Sequence, residues 1–256
     1  MNGGAIADFD GRAALVTGGG SGLGEAISGA LAEQGAQVVV ADVDGEAARR
    51  VADDVNGRAV EGDVTNAEAV RAMVAAARQL APLRALVLSA AVETRTPAVQ
   101  CTDEEWQRVL DVNLKGPFLC MREAVPVMIE AGGGSIVALG SVLGLMAAPG
   151  YPAYVSSKGA LVNLCKQVAI EHAPNGVRVN VVAPSATDVG LFRKMSERSD
   201  DPQRLRDKIA AGMPMRRLGT ADDVSAAVLF LLSDASSYIS GTVIPVDGGM
   251  AARRPL

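Results

Sequence analysis

The run Thr17-Gly18-Gly19-Gly20-Ser21-Gly22-Leu23-Gly24 constrains the fold more than any other stretch of this chain. It follows the apolar segment Ala13–Thr17, which shows no polar alternation and so reads as a strand buried on both faces. It opens an Ala-rich helical stretch that extends to about Gln34, after which a second apolar segment, Gln37–Ala41, ends at Asp42. Strand, glycine-rich turn, helix, strand and acidic residue, in that order, specify a doubly wound, dinucleotide-binding sheet. Glycine has no Cβ, so the backbone can take positive φ and approach a pyrophosphate closely. The helix that follows adds free N–H groups and a partial positive charge. A glycine cluster can also serve only to reverse a chain, but its place directly after a buried strand favours the nucleotide. No Lys-Ser or Lys-Thr pair follows the glycines, so phosphoryl transfer is not supported.

The alternation continues along the chain. Strands are expected at Arg58–Glu61, Ala85–Leu88, Ser135–Leu139, Val177–Val182 and Thr242–Val246, making seven in all. Asn66 is placed to cap a helix over Ala67–Leu80, and Thr102 with Glu105 has capping-box spacing. Further helices are expected from about Leu114 to Ala131, bent at Pro126, and from about Tyr151 to Glu171. Buried strands alternating with helices give a parallel sheet with right-handed crossovers, an α/β fold. No repeat or shift in composition marks a second domain, so residues 1–256 are expected to form one. The region of about 185–215 mixes Pro, Ser, Asp, Met and Arg without clear periodicity and is expected to be a substrate-binding loop or lid.

Composition removes several classes of function. Only 3% of residues are aromatic and the formal net charge is -5, which disfavours base stacking and repels phosphate backbones, so no nucleic-acid partner is expected. One histidine and three dispersed cysteines, Cys101, Cys120 and Cys165, leave too few ligands for a zinc site, and no metal is expected. The segment MNGGAIADFDGR lacks a basic region followed by an apolar core, and no apolar run approaches the ~20 residues that span a bilayer. The expectation is a cytoplasmic protein with no membrane partner.

Tyr154-Val155-Ser156-Ser157-Lys158 puts a tyrosine and a lysine at i and i+4, on one helix face. An exposed polar pair would have the same spacing, but the flanking residues, Tyr151-Pro152-Ala153 and Gly159-Ala160-Leu161, are small or apolar and unlike a solvated face. A free phenol, with a pKa near ~10, is a poor base at neutrality. A neighbouring ammonium favours the phenolate and is expected to lower that value, so that the phenol can exchange a proton with an alcohol or carbonyl oxygen. Ser141, upstream, is a candidate to hydrogen-bond the same oxygen. Asp42 is a candidate acceptor for both adenosine ribose hydroxyls and would repel a 2′-phosphate, which points to NAD rather than NADP.

Taken together, these residues resemble the classical short-chain dehydrogenase/reductase family, from the glycine turn to Val246-Asp247-Gly248-Gly249. The resemblance rests on TGGGSGLG, on Asn113 within DVNLKG, on Ser141, and on the Tyr154/Lys158 pair. It implies a single Rossmann-type domain with a seven-stranded parallel sheet, and catalytic roles for Asn113, Ser141, Tyr154 and Lys158. Asn113 would support a water relay to the lysine, and Lys158 would also bind the nicotinamide ribose. The cofactor residues it implies are Gly18, Ser21, Gly22, Leu23, Gly24, Asp42, Asp63, Val64, Ala90, Tyr154, Lys158, Pro184, Thr187 and Val189. It also implies a homotetramer. Three positions depart from the family pattern. Ser89-Ala90-Ala91-Val92 replaces Asn-Asn-Ala-Gly, Ser185 follows Pro184 in place of glycine, and Val189 replaces a threonine.

The expected activity is reversible, NAD-dependent interconversion of a secondary alcohol and a ketone. A 3-oxoacyl thioester is an alternative substrate, and an NAD-binding sensor without turnover is an alternative of another class. Dehydratase or epimerase relatives, with a tighter glycine spacing and a longer substrate domain, match less well. Some residues are assigned no chemistry: His172 as a helix-end cation, Trp106 as helix packing, and Arg253 and Arg254 as solvated. Met195, Met213 and Met215, with Leu191 and Phe192, either line an adaptable substrate pocket or pack a helix pair.

Overall fold

The computed structural model describes residues 8–252. Arg253 and Arg254, and the first residues of the N-terminal segment, lie outside the described residues. Seven strands form one parallel sheet in the order β3-β2-β1-β4-β5-β6-β7. They are β1 (Ala13–Thr17), β2 (Gln37–Asp42), β3 (Arg58–Glu61), β4 (Leu83–Leu88), β5 (Gly134–Leu139), β6 (Val177–Pro184) and β7 (Val243–Val246). The apolar run of β1 is buried at every position because helices cover both faces of the sheet. One face carries α3 (Ala67–Leu80), α5 (Gly116–Glu130) and α6 (Pro152–His172) over Leu15, Leu86 and Ile136. The other carries α1 (Gly22–Glu33), α2 (Gly45–Asp54) and α9 (Ala221–Leu232) over Val16, Val38 and Val137. Each fully buried side chain such as Leu15 or Ile27 contributes roughly 1.5–3 kcal/mol.

The strand order turns back between β1 and β4, both of which pair with one another in parallel. Such a switch point opens a crevice outside the carboxyl ends of the strands. Here that crevice lies between the glycine turn after Thr17 and the segment Ser89–Val92.

The structure refines several expectations. Asn66 caps α3, with its side chain accepting from the N–H groups of Glu68 and Ala69. Thr102 and Glu105 form a reciprocal capping box on α4 (Asp103–Leu110). The helix expected from Leu114 is instead α5, joined to α4 through a π-helical turn, Asp111–Lys115, which carries Asn113. Such turns concentrate at functional sites. The stretch after β6 is not irregular. It holds α7 (Gly190–Glu197) and α8 (Pro202–Gly212), helices of 8 and 11 residues that are too short to stand out in a periodic reading over roughly 11–18 residues. Trp106 is 39% exposed and so is not packed inside the helix layer as expected. No helix among the described residues is long and apolar enough to cross a membrane.

Candidate active site

A cleft of about 1390 Å³ runs along the carboxyl ends of the strands. That exceeds the roughly 300–1,000 Å³ of a typical small-molecule pocket, and accommodates a dinucleotide together with a substrate.

One half is built by the glycine turn. Gly18 takes φ +64°, and a Cβ there would come within 2.7 Å of the Ala90 backbone. Gly22 takes φ +61°, and its Cβ would meet Gly190 at 2.8 Å. Any side chain at either position would push apart the walls that bring backbone to the cleft. Ser21 caps α1 without a side-chain hydrogen bond, leaving the first-turn N–H groups of Gly22 and Leu23 beside the cleft. The turn is thus shaped for an anion at a helix N-terminus, and a dinucleotide pyrophosphate fits it. Gly24 does not line the cleft. It is buried under the turn, where a Cβ would run into the Gly18 carbonyl.

Asp42 ends β2 inside the cleft. Its carboxylate accepts from Gly20 N–H at 2.9 Å and Asp44 N–H at 3.0 Å, so it is fixed before any ligand arrives. Arg50, from α2, was not foreseen here. It donates to the Gly20 carbonyl at 3.0 Å but is neutralised by Glu25 at 2.7 Å. Asp63 and Val64 after β3, Ala90 after β4, and Pro184, Thr187 and Val189 at and after the end of β6 all line the cleft, the last of them next to Gly190, which abuts Gly22 of the glycine turn. Thr187 is buried and donates its hydroxyl to the Ser185 carbonyl at 3.1 Å.

The other half holds the polar group read from the sequence. Tyr154 and Lys158 share one face of α6, and Ser141 follows β5, all three lining the cleft. The Lys158 ammonium is buried, donates to the Leu139 carbonyl at 2.7 Å, and lies 5.7 Å from the centre of the Tyr154 ring. Asn113 stands behind them, fully buried. Its amide nitrogen donates to the Val92 carbonyl at 2.8 Å and to Ser157 Oγ at 3.2 Å, and its oxygen accepts from Val92 N–H at 2.8 Å. Ser157 in turn donates to the Tyr154 carbonyl at 2.8 Å. One side chain therefore ties the β4 crossover segment to the helix that carries tyrosine and lysine.

The electrostatics correct one expectation. Burial pushes the Tyr154 phenol up to about 12, with Ser141 pulling it down and Glu93 and Tyr151 adding to the rise. Burial brings Lys158 down to about 8, opposed by Cys165. The lysine does not lower the phenol as the i,i+4 spacing suggested, because its ammonium is turned onto the Leu139 carbonyl and both groups are desolvated. Sequence reasoning also missed Glu93 and Tyr151, which line the cleft near Tyr154. The Tyr151 ring meets the Tyr154 ring edge-on at 6.4 Å and carries Arg95 over its other side at 5.8 Å. Of the methionines, Met195 and Met213 line the cleft with Leu191 and Phe192, whereas Met215 is exposed.

Residues 18–251 match the protein family described as enoyl-(acyl carrier protein) reductase. The chain is 37% identical to 2-(S)-hydroxypropyl-CoM dehydrogenase 3 of Xanthobacter autotrophicus, over 93% of this chain and 95% of that protein. It is 38% identical to galactitol 2-dehydrogenase (L-tagatose-forming) of Cereibacter sphaeroides, over 94% and 95%. Among solved structures it superimposes on levodione reductase with a TM-score of 0.91 at 30% identity, covering 96% of this chain and all of that one.

Proposed function

From the premise that this chain belongs to the classical short-chain dehydrogenase/reductase family, we propose that Tyr154, Lys158, Ser141 and Asn113 carry its alcohol–ketone chemistry, with NAD as cofactor. The protein is an oxidoreductase that interconverts secondary alcohols and ketones with a nicotinamide cofactor. The observation that carries the assignment of roles is that Ser141, Tyr154 and Lys158 lie together on the same cleft that the glycine turn lines.

When bound, the cofactor supplies the acceptor or donor of the hydride. The protein's own residues handle the oxygen and its proton. Tyr154 Oη takes the proton from the alcohol in oxidation and returns it to the ketone oxygen in reduction. Ser141 Oγ, held by Leu143 N–H at 3.1 Å, donates to the same substrate oxygen. Lys158 holds a positive charge near the phenol and next to the ribose-binding side of the cleft. Asn113 positions this group through Val92 and Ser157. Burial of the phenol excludes water from the transfer and makes the phenolate depend on positive charge brought near it.

Asp42 supports NAD over NADP, since a fixed carboxylate at the ribose end repels a 2′-phosphate. Arg50 does not reverse this, because Glu25 already neutralises it. The segment of about 185–215, carrying α7 and α8, would cover the substrate as a lid on a single domain, 1–256. Apolar side chains exposed on two separate regions support a homotetramer. Trp106, Phe118 and Ile170 lie on α4, α5 and α6, and Tyr238 lies just before β7. Two self-complementary patches are what a dihedral tetramer requires. Three free cysteines suit a reducing compartment and support a cytoplasmic location.

A 32% identical relative, described as a 3-oxoacyl-(acyl-carrier-protein) reductase of Thermotoga maritima, supports a second reading for the substrate, a 3-oxoacyl thioester on a carrier protein. A panel of secondary alcohols, ketones and a 3-oxoacyl thioester, assayed with NAD and NADP by nicotinamide absorbance, separates the two. Alcohol oxidation with NAD is the expected result. Turnover confined to the thioester with NADPH would replace it.

A further inference from the structure

Several polar groups line the cleft without a task in the chemistry above, and Glu93 is the carboxylate among them whose charge reaches the Tyr154 phenol. Glu93 lines the cleft and follows Val92, the residue whose N–H and carbonyl are both held by Asn113. Glu93 is partly buried, and among the described residues its carboxylate makes no hydrogen bond and no ion pair. Burial raises its pKa, with Arg95 and Arg198 opposing from a distance. Arg95 is instead engaged over the Tyr151 ring. The neighbouring Thr94 hydroxyl is also buried without a partner.

The position is not peripheral. Glu93 and Tyr154 line the same cleft, and the negative charge of Glu93 adds to the rise of the phenol. The rest of the substrate end is largely apolar, with Leu143, Met146, Leu191, Phe192 and Met195 on the lining. A carboxylate at a partly buried, mostly apolar end of a cleft loses its remaining water when a substrate fills that end, so a ligand that brings a donor replaces that water and one that does not leaves the charge unpaired.

Building on the dehydrogenase reading, we infer that Glu93 is a substrate-recognition residue that accepts a hydrogen bond from a second donor group on the alcohol. The preferred substrates are then alcohols carrying a further hydroxyl or an ammonium. Plain alcohols leave the carboxylate unpaired, and carboxylate-bearing alcohols meet its repulsion. A site that hydrogen-bonds a donor on its substrate discriminates against the analogue lacking it.

The test compares wild type, Glu93→Gln and Glu93→Leu with NAD. The substrates are 2,3-butanediol and 1,2-cyclohexanediol, each against its mono-alcohol, together with 1-amino-2-propanol and 3-hydroxybutyrate. Wild type should favour the donor-bearing alcohols. Glu93→Leu should lower that preference about tenfold or more, mainly through KM. The near-isosteric Glu93→Gln, which keeps an acceptor oxygen, should retain part of the diol preference and lose that for the ammonium. Oxidation of mono-alcohols with no preference for donors, or selectivity ratios unchanged in both variants, overturns the role of Glu93 and leaves the dehydrogenase reading intact. Preference for 3-hydroxybutyrate also overturns it and points to Arg95 and Arg198 instead. A folded, NAD-binding wild type that turns over no alcohol or ketone overturns both.

Discussion

The ammonium of Lys158 stands 5.7 Å from the centre of the Tyr154 ring and is anchored on the Leu139 carbonyl at 2.7 Å. The lysine is therefore held at a fixed place by β5, and is not free to swing along its own helix. Both groups are desolvated, which drives the phenol towards its neutral form and lowers the lysine. The site rests as a neutral phenol with a desolvated, hydrogen-bonded ammonium behind it.

The first prediction concerns pH. Oxidation requires the deprotonated phenol, and a raised pKa means that form is scarce through neutrality. The kcat/KM for alcohol oxidation should rise with pH between about 6 and 9, by up to tenfold per unit where one proton is lost. Ketone reduction uses the protonated phenol, so it should be flat at low pH and fall on the alkaline side. Parallel pH profiles in the two directions would contradict this.

Cofactor choice is tested at Asp42. Asp42→Ala removes the negative charge at the ribose end and frees Gly20 N–H. The ratio of kcat/KM for NAD over NADP should fall by about tenfold to a hundredfold, the scale of one or two charge-assisted hydrogen bonds. A wild type that already prefers NADP would contradict the assignment.

Asn113→Ala tests the clamp on Val92. It would leave the Val92 N–H and carbonyl without their partners inside the protein. Two part-buried groups left unpaired cost about 1–3 kcal/mol together, which lowers Tm by roughly 3–9 °C for a domain of this size. Turnover should fall with it, because the segment carrying Ser89–Glu93 loses its register. Thermal denaturation showing an unchanged Tm would remove the positioning role.

A capping box at the start of α9 gives a prediction far from the chemistry. Thr220 Oγ1 accepts from Asp223 N–H at 3.2 Å, and Asp223 accepts from Thr220 N–H at 2.8 Å. Thr220→Ala should cost about 1 kcal/mol, a Tm decrease of roughly 2–4 °C, with little effect on kcat. The Arg217 guanidinium, followed by the Thr220 backbone, holds the Asp223 carboxyl well below the usual carboxylate range. The stability that Asp223 adds is present above the ordinary carboxylate range and is lost as pH falls through its depressed folded value. The loss in Asp223→Asn should therefore be visible at pH 7 and vanish in acid, as followed by denaturation at several pH values.

What could be read from the sequence was local. The strand–glycine turn–helix order, the Asp42 terminus and the Tyr154/Lys158 spacing each depend on residues close along the chain, and the structure brings them to one cleft. The sign of the phenol's shift was not legible. It depends on where the Lys158 ammonium points and on how much water remains, and both are set by Leu139 and the surrounding core. Glu93 was hidden for a similar reason, since only its missing partners in the fold distinguish it from any exposed glutamate. The helix α9 went unread although Thr220 and Asp223 mark its start, because an apolar run over Val224–Leu232 carries little periodicity when buried. The helices α7 and α8 have 8 and 11 residues, which gives a periodic reading over roughly 11–18 residues too little length to act on.

The central claim is that the Tyr154 phenol transfers the substrate proton, and Tyr154→Phe tests it most directly. The change removes one hydroxyl from a side chain 9% exposed and leaves the packing of the ring in place. Turnover of the best alcohol should fall by about 10²–10⁴-fold, the usual contribution of a positioned acid or base, while NAD still binds as judged by fluorescence titration. A Tyr154→Phe enzyme that binds NAD and oxidises alcohol at the wild-type rate would contradict the account.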